Sequence, residues 1–145
     1  MLIREMCESD LAQVMEIETN CFSDAWSENN FLDSLRLEET CFLVAEEDGQ
    51  IAGYIGMYLT VPEGAIVNVA VDERFRKNGV GTLLLGEMLK RAKEGQISQV
   101  CLEVRYHNVP AIGLYQKMGF EEIGVRKDFY SFPKEDARIM VWQSI

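Results

Sequence analysis

Two side chains in this sequence have the type and setting for proton transfer, and one turn has the type and setting for holding phosphate. Glu103 is the single charge inside the apolar run Val100-Cys101-Leu102-Glu103-Val104. Desolvation on such a strand raises a carboxylate's pKa and makes it a better acceptor of an amine proton, directly or through a water. The competing reading is a structural carboxylate paired with Arg105 or a backbone amide. Tyr115 can give its phenolic proton to a departing thiolate, whose basicity is near a phenol's; equally, it can be a core aromatic on a helix. The turn is Arg76-Lys77-Asn78-Gly79-Val80-Gly81, reached from the strand-like Val67-Asn68-Val69-Ala70-Val71 and followed at once by a helical pattern. Backbone N–H groups at a helix N-terminus are unpaired and carry partial positive charge, so an anion is stabilised there without any side chain. Glycine lets the backbone approach closely and take positive φ.

Other chemistries find few residues to use. Cys7, Cys21, Cys41 and Cys101 are widely spaced and His107 is the only histidine, so neither a zinc site nor a disulfide framework is suggested and no metal is expected. His107 beside Asn108 reads as a solvated or capping loop residue, and nothing near it resembles a nucleophile elbow. The formal charge of −10 argues against nucleic acid as a direct ligand and favours a cationic partner by long-range steering. Against that background Arg74, Arg76 and Lys77 place three of the 14 basic residues within four positions. A solvated loop is the plain alternative for such a cluster. No apolar run approaches the roughly 18 residues of a membrane span, and Met1-Leu2-Ile3-Arg4-Glu5 lacks the layout of a signal peptide. A cytoplasmic chain with no membrane partner is expected.

Strands and helices that would position these groups interleave along one α/β domain, residues 1–145. Leu2 to Met6 reads as a first strand. Ser9 or Asp10 can cap a helix bearing Leu11, Val14 and Met15, with Gln13 as a capping-box partner of Asp10. Ser27 can cap a second helix, in which Phe31 and Leu35 fall one turn apart. Cys41 to Ala45 and Ile51 to Leu59 flank Asp48-Gly49, a hairpin signal, and Pro62-Glu63-Gly64 turns the chain into Ala65 to Val71. Thr82 to Lys93 is helical, with a basic last turn and Gly95 to close it. Val100 to Val104 follows as a central strand expected to be covered on both faces. Pro110 opens a helix that ends at Gly119. Phe120 to Arg126 and Ala137 to Trp142 read as two last strands joined by a Lys127-to-Pro133 connection. No repeat or linker interrupts the chain.

The series Arg76-x-x-Gly79-x-Gly81, then Glu103, then Asn108 with Ala111-x-x-Leu114-Tyr115-x-x-x-Gly119-Phe120 resembles the GNAT family of acetyl-CoA-dependent N-acetyltransferases. Leu102-Glu103-Val104-Arg105, the tail Tyr130, Glu135-Asp136-Ala137 and Met140, and Phe22 with Trp26-Ser27 extend the likeness to the bacterial RimI-type ribosomal-protein-alanine N-acetyltransferases over nearly the whole chain.

The resemblance implies a mixed, mostly antiparallel sheet of six or seven strands with helices on both faces, opened where the pantetheine arm of acetyl-CoA enters. It implies that backbone groups of Val69, Ala70 and Val71 meet that arm and the thioester. The turn of Arg76, Lys77, Asn78, Gly79, Val80, Gly81 and Thr82 would cradle the pyrophosphate, and Asn108 would contact the pantetheine. Glu103 becomes the base and Tyr115 the acid, with a backbone N–H near Val71 for the oxyanion. The implied acceptor is a basic protein N-terminus, the alanine of a small-subunit ribosomal protein. A small amine, or a coenzyme A-binding chain without catalysis, are the alternatives. Two positions depart from the RimI pattern: Ala25 replaces a proline, and Phe129 replaces a tyrosine, removing a hydroxyl beside the acceptor cleft. Trp26, Tyr130 and Phe132 are the aromatic candidates for that cleft. Oligomeric state is not readable.

Overall fold

The computed structural model describes residues 1–144. Its seven strands are β1 (Leu2–Glu5), β2 (Thr40–Glu47), β3 (Gln50–Thr60), β4 (Glu63–Val71), β5 (Gln99–Arg105), β6 (Glu121–Ser131) and β7 (Lys134–Gln143). They form one sheet in the order β1-β2-β3-β4-β5-β7-β6. Every neighbouring pair is antiparallel except β4 with β5, so the sheet is mixed and mostly antiparallel. Helices α1 (Leu11–Cys21) and α2 (Glu28–Leu35) pack on one face, α3 (Val80–Glu94) and α4 (Val109–Lys117) on the other.

Two cores follow from the alternation of strand side chains. Phe42 and Val44 of β2, with Ile51 and Tyr54 of β3, join Leu11, Val14, Ile17 and Phe31. Leu43, Ala45, Ala52 and Ile55 point the other way, to Leu84, Leu85, Met88 and Ala92 of α3. Rings of Trp26, Phe31, Phe42 and Tyr54 lie 5.1–6.3 Å apart in tilted and edge-on pairs, which seats the α1–α2 connection on the sheet. Phe42 lies directly across from Gly56 in β3. A Cβ there would come within 2.2 Å of the Phe42 ring, so β3 has to be bare at that point.

Several local expectations hold in detail. Ser27 accepts from the Asn30 N–H (3.1 Å) at the start of α2, and Asp48 and Gly49 take φ of 50° and 80° in the β2–β3 hairpin. Others change. Asp10 does not cap α1: its carboxylate is held by two 2.8 Å bonds from Arg4 and accepts from the Cys7 N–H. Gln13 spans to the hairpin and accepts from the Ile51 N–H (2.8 Å). At the end of α3, Gly95 is the last-turn cap but Gln96 takes the left-handed conformation (φ 66°). The strand β5 is central but covered on one face only: Val100, Leu102 and Val104 are buried, whereas Cys101, Glu103 and Arg105 between them are half-exposed. The Lys127-to-Pro133 connection is mostly strand, because β6 runs on to Ser131 and only Phe132-Pro133 turns. An irregularity between Arg126 and Tyr130 hides this continuity, with Asp128 left-handed (φ 54°) and its N–H given to Asp136 Oδ1.

Candidate active site

The site is built on a fork in the sheet. β4 and β5 pair only at Glu63 with Gln99, Gly64 with Val100 and Ala65 with Cys101. Beyond those pairs β4 stays on β3 as far as Val71 and β5 stays on β7 as far as Arg105, so their inner edges part. Val67 is an extra residue against β3, between the Met57–Ile66 and Gly56–Asn68 pairs, and such a bulge bends a strand. Asp72 donates its N–H to Ala52 O, so by strand alternation Ala70 also faces β3, while Val69 and Val71 turn their backbone groups to the fork. The Val71 carbonyl is taken by Arg76 Nε (3.3 Å) and by the Cys21 thiol. The N–H and C=O of Val69 and the N–H of Val71 are therefore among the backbone groups that face the fork. Ala70 contributes its buried methyl to the α1 side instead.

At the open end of β4 the turn winds into α3. Lys77 (φ 67°) and Gly79 (φ 75°) are both left-handed, and Gly79 is the N-cap. No side chain among the described residues caps the helix, and the N–H groups of Val80, Gly81 and Thr82, in its first turn, have no intrahelical partner. Gly81 lies where a Cβ would meet Leu114 of α4 at 3.0 Å, bringing the two helices together behind the fork. Arg74 is neutralised by Asp72 through two bonds. Among the described residues Arg76 and Lys77 have no carboxylate partner, and Asn78 donates to Phe75 O. The unpaired edge followed by an uncapped, cationic helix start fits a long amide-bearing arm that ends in a pyrophosphate.

Glu103 projects from the half-open face of β5. Among the described residues its carboxylate has neither an ion pair nor a side-chain hydrogen bond, so the structural pairing with Arg105 is not made. Arg105 turns to Glu135 and to the β6–β7 turn instead. Tyr115 sits 7% exposed in the α3–α4 core, on the opposite face. Asn68 Oδ1 is the only buried side-chain polar atom without a partner among the described residues, so the Tyr115 hydroxyl, which makes no hydrogen bond, is not sealed in. Burial pushes the Tyr115 phenol well above its usual value, and the nearby Tyr130 adds to this. Burial likewise pushes Tyr130 up to about 12, with Arg105 opposing and Glu103 reinforcing. Tyr130 thus feels the charge of Glu103, and Tyr115 feels that of Tyr130. Asn108 is the N-cap of α4: its Oδ1 accepts from the Ala111 N–H (3.3 Å), on an exposed side chain.

Residues beyond these were not singled out in the sequence. Glu18, 2% exposed, accepts from the Trp26 N–H (2.9 Å), the Tyr54 hydroxyl and Asn68 Nδ2, and so ties the α1–α2 connection to β3 and β4. Its signal was a charge seven residues after Leu11 and four after Val14, on the apolar face of α1. The same connection reaches across the open face: Ser23 Oγ donates to Phe132 O at the β6–β7 turn. The two loops meet over the face that bears Glu103. Among the described residues no cluster of three or more His, Cys, Asp or Glu side chains has the arrangement of a metal site, and no helix is long and apolar enough to cross a membrane.

Residues 11–120 match the model of the acetyltransferase (GNAT) family. A Bacillus subtilis protein with the provisional name [ribosomal protein bS18]-alanine N-acetyltransferase is 37% identical, over 99% of this chain and 95% of its own. An N-alpha-acetyltransferase of Sulfurisphaera tokodaii is 35% identical, over 95% of this chain and 90% of its own. The crystal structure of the ribosomal-protein-S18-alanine N-acetyltransferase from Escherichia coli superposes with a TM-score of 0.90 at 28% identity, over 98% of this chain and 92% of that one.

Proposed function

The chain belongs to the GNAT family of N-acetyltransferases, among its RimI/Ard1-type protein N-alpha-acetyltransferases, and from that premise we propose that its acceptor is the N-terminal alanine of a small-subunit ribosomal protein in the cytoplasm. The observation that carries the chemistry is the fork, with an unpaired carboxylate on one side and a buried, unbonded phenol on the other. Acetyl-CoA supplies the activated acetyl group. Val69 would hold its amide-bearing arm through backbone hydrogen bonds, and the start of α3 with Arg76 and Lys77 would hold its phosphates. The N–H of Val71, turned to the fork, would donate to the negative charge that develops on the acetyl oxygen.

Glu103 takes the proton that the acceptor amine must lose. An α-amine has a reference pKa of about 7.7–8.0 against about 10.4 for lysine, so a carboxylate is base enough. Tyr115 holds a proton at its Oη for the departing sulfur. The apolar setting that raises the phenol raises a thiolate's basicity for the same reason, so the transfer keeps its driving force. Two features support a peptide terminus as acceptor. The α1–α2 connection and the β6–β7 turn are joined at Ser23 and Phe132 near the face that bears Glu103, where an extended end of chain would meet both, and the charge of −10 favours a basic substrate. The protein, acetyl-CoA and an alanine-starting peptide of that ribosomal protein are to be incubated and read by mass spectrometry. Acetylation confined to the α-amine is expected; an unmodified peptide, or label on lysine alone, overturns the reading.

A further inference from the structure

Arg105 lies two residues beyond Glu103 on the same face of β5, yet its guanidinium is spent on the opposite loop. Nη1 donates to Pro133 O (2.9 Å) and to Glu135 Oε1 (3.1 Å), and Nη2 donates to Phe132 O (3.1 Å). Its carbon lies 4.2 Å from the centroid of the Tyr130 ring. Glu135 in turn receives the His107 N–H (3.0 Å), which links the hairpin to the entry of α4, and its carboxyl is held below the usual range by that N–H and by Arg105. Phe132 O therefore accepts from two sides, Arg105 beneath and Ser23 across the cleft. The tip has backbone pairing but no core: Tyr130 pairs with Glu135 and Ser131 with Lys134, whereas Phe129, Ser131, Phe132, Pro133 and Lys134 are all exposed, so Arg105 supplies the side-chain anchor that ties it to β5. A planar guanidinium serves two carbonyls, a carboxylate and a ring face at once, which an ammonium cannot.

We infer that Arg105 is the positioning residue for acceptor recognition: it sets the β6–β7 turn and the Tyr130 ring as one wall of the acceptor cleft and touches neither reacting group. The inference rests on the acceptor lying between Glu103 and that hairpin, as proposed above. Loss of the clamp then weakens acceptor binding and leaves the cofactor side, across the fork on β4 and α3, as it was.

Arg105→Ala, Arg105→Lys and Ser23→Ala proteins are to be compared with the unaltered chain for kcat, for KM toward an alanine-starting peptide, and for KM toward acetyl-CoA. Arg105→Ala is expected to raise the peptide KM about tenfold or more, the scale of losing charge-assisted hydrogen bonds. KM for acetyl-CoA should stay within about twofold, and the pH profile of kcat should not move, because Glu103 and Tyr115 remain. Arg105→Lys should recover part of the loss, and Ser23→Ala should show a smaller effect of the same kind. Should Arg105→Ala fail to fold, Arg105→Lys alone carries the test through the same split. A peptide KM unchanged in both Arg105 variants, or a matching rise in the acetyl-CoA KM, overturns the positioning role and leaves the N-terminal reading standing. An unaltered chain that acetylates no peptide N-terminus overturns that reading, and the positioning role with it.

Discussion

Glu103→Gln separates a base from a structural carboxylate with one substitution. The side chain keeps its volume and has no ion pair and no side-chain hydrogen bond to lose among the described residues, so the change in stability should stay within about 0.5 kcal/mol. The rate should not. A positioned base contributes roughly 10²–10⁴-fold, so kcat for an alanine-starting peptide is expected to fall at least about 100-fold, or roughly 2.7 kcal/mol in barrier. The loss should also depend on pH. At pH 6.8 about one-tenth of an α-amine is unprotonated, and at pH 8.8 about nine-tenths. The variant has to wait for solvent to deprotonate the acceptor, so its rate climbs with that fraction, and the ratio of normal to variant rates should shrink by several-fold across the interval. A thiol-release assay over pH 6.5–9 beside a thermal melt reads both quantities. A ratio that stays constant with pH would show that Glu103 does not handle the acceptor proton, and a lowered melting temperature would return it to a structural role.

Three further outcomes follow from other parts of the fold. Tyr115→Phe removes a hydroxyl that has no hydrogen-bond partner among the described residues, so the melt should hold while kcat drops about 100-fold; unchanged turnover would end the acid assignment. Gly79→Ala meets no atom within 4 Å but must keep φ at 75°, which costs roughly 1–2 kcal/mol, so the melting temperature should fall a few degrees and calorimetry should show weaker acetyl-CoA binding. Arg4 holds Asp10 below the usual carboxylate range, chiefly through their hydrogen bonds and against burial. A carboxyl whose pKa is lower folded than unfolded stabilises fully above the unfolded value of about 3.9 and loses that contribution as pH falls through the folded one. Asp10→Asn should therefore cost about 2–3 kcal/mol at pH 7 in urea titrations, with the gap to the unaltered chain closing below about pH 4.

Local signals read well from the sequence because their causes are local. Asp48-Gly49 needs only its own backbone preferences to make the hairpin, and Ser27 needs only the N–H three residues on. The α3 row of Leu84, Leu85, Met88 and Ala92 announces its buried face by spacing alone. The misreadings share a different cause. Asp10 has the sequence position of a cap, but a strand neighbour, Arg4, offers it a charge-assisted pair that outweighs one neutral helix bond. The charged stretch Lys127-Asp128 reads as a loop, yet the pairing of Tyr130 with Glu135 and Ser131 with Lys134 makes it a bulged strand. For β5 the apolar run concealed which face lacked a helix; only the placement of α1 and α2 over β2 and β3 shows it.

The fork is the clearest case of a site whose parts are visible and whose existence is not. Glu103, Tyr115 and the Arg76-to-Thr82 turn each carry a readable chemistry, but nothing in β4 or β5 alone says that they part after three pairs. The parting follows from competing partners. β4 keeps pairing with β3 out to the Gly53–Val71 pair, β5 keeps seven with β7, and the bulge at Val67 turns β4 away at the point where the two would otherwise continue. Each arm satisfies its outer edge, so only inner groups such as those of Val69 and Val71 are left over. An unpaired strand edge is costly in a dry core and tolerable where water or a ligand can reach it. The same stretch of backbone that the sheet leaves unfinished is thus the one able to pair with an amide-bearing arm, and in the function proposed above the sheet's incompleteness is what would let Glu103 on one face and Tyr115 on the other serve a single reaction.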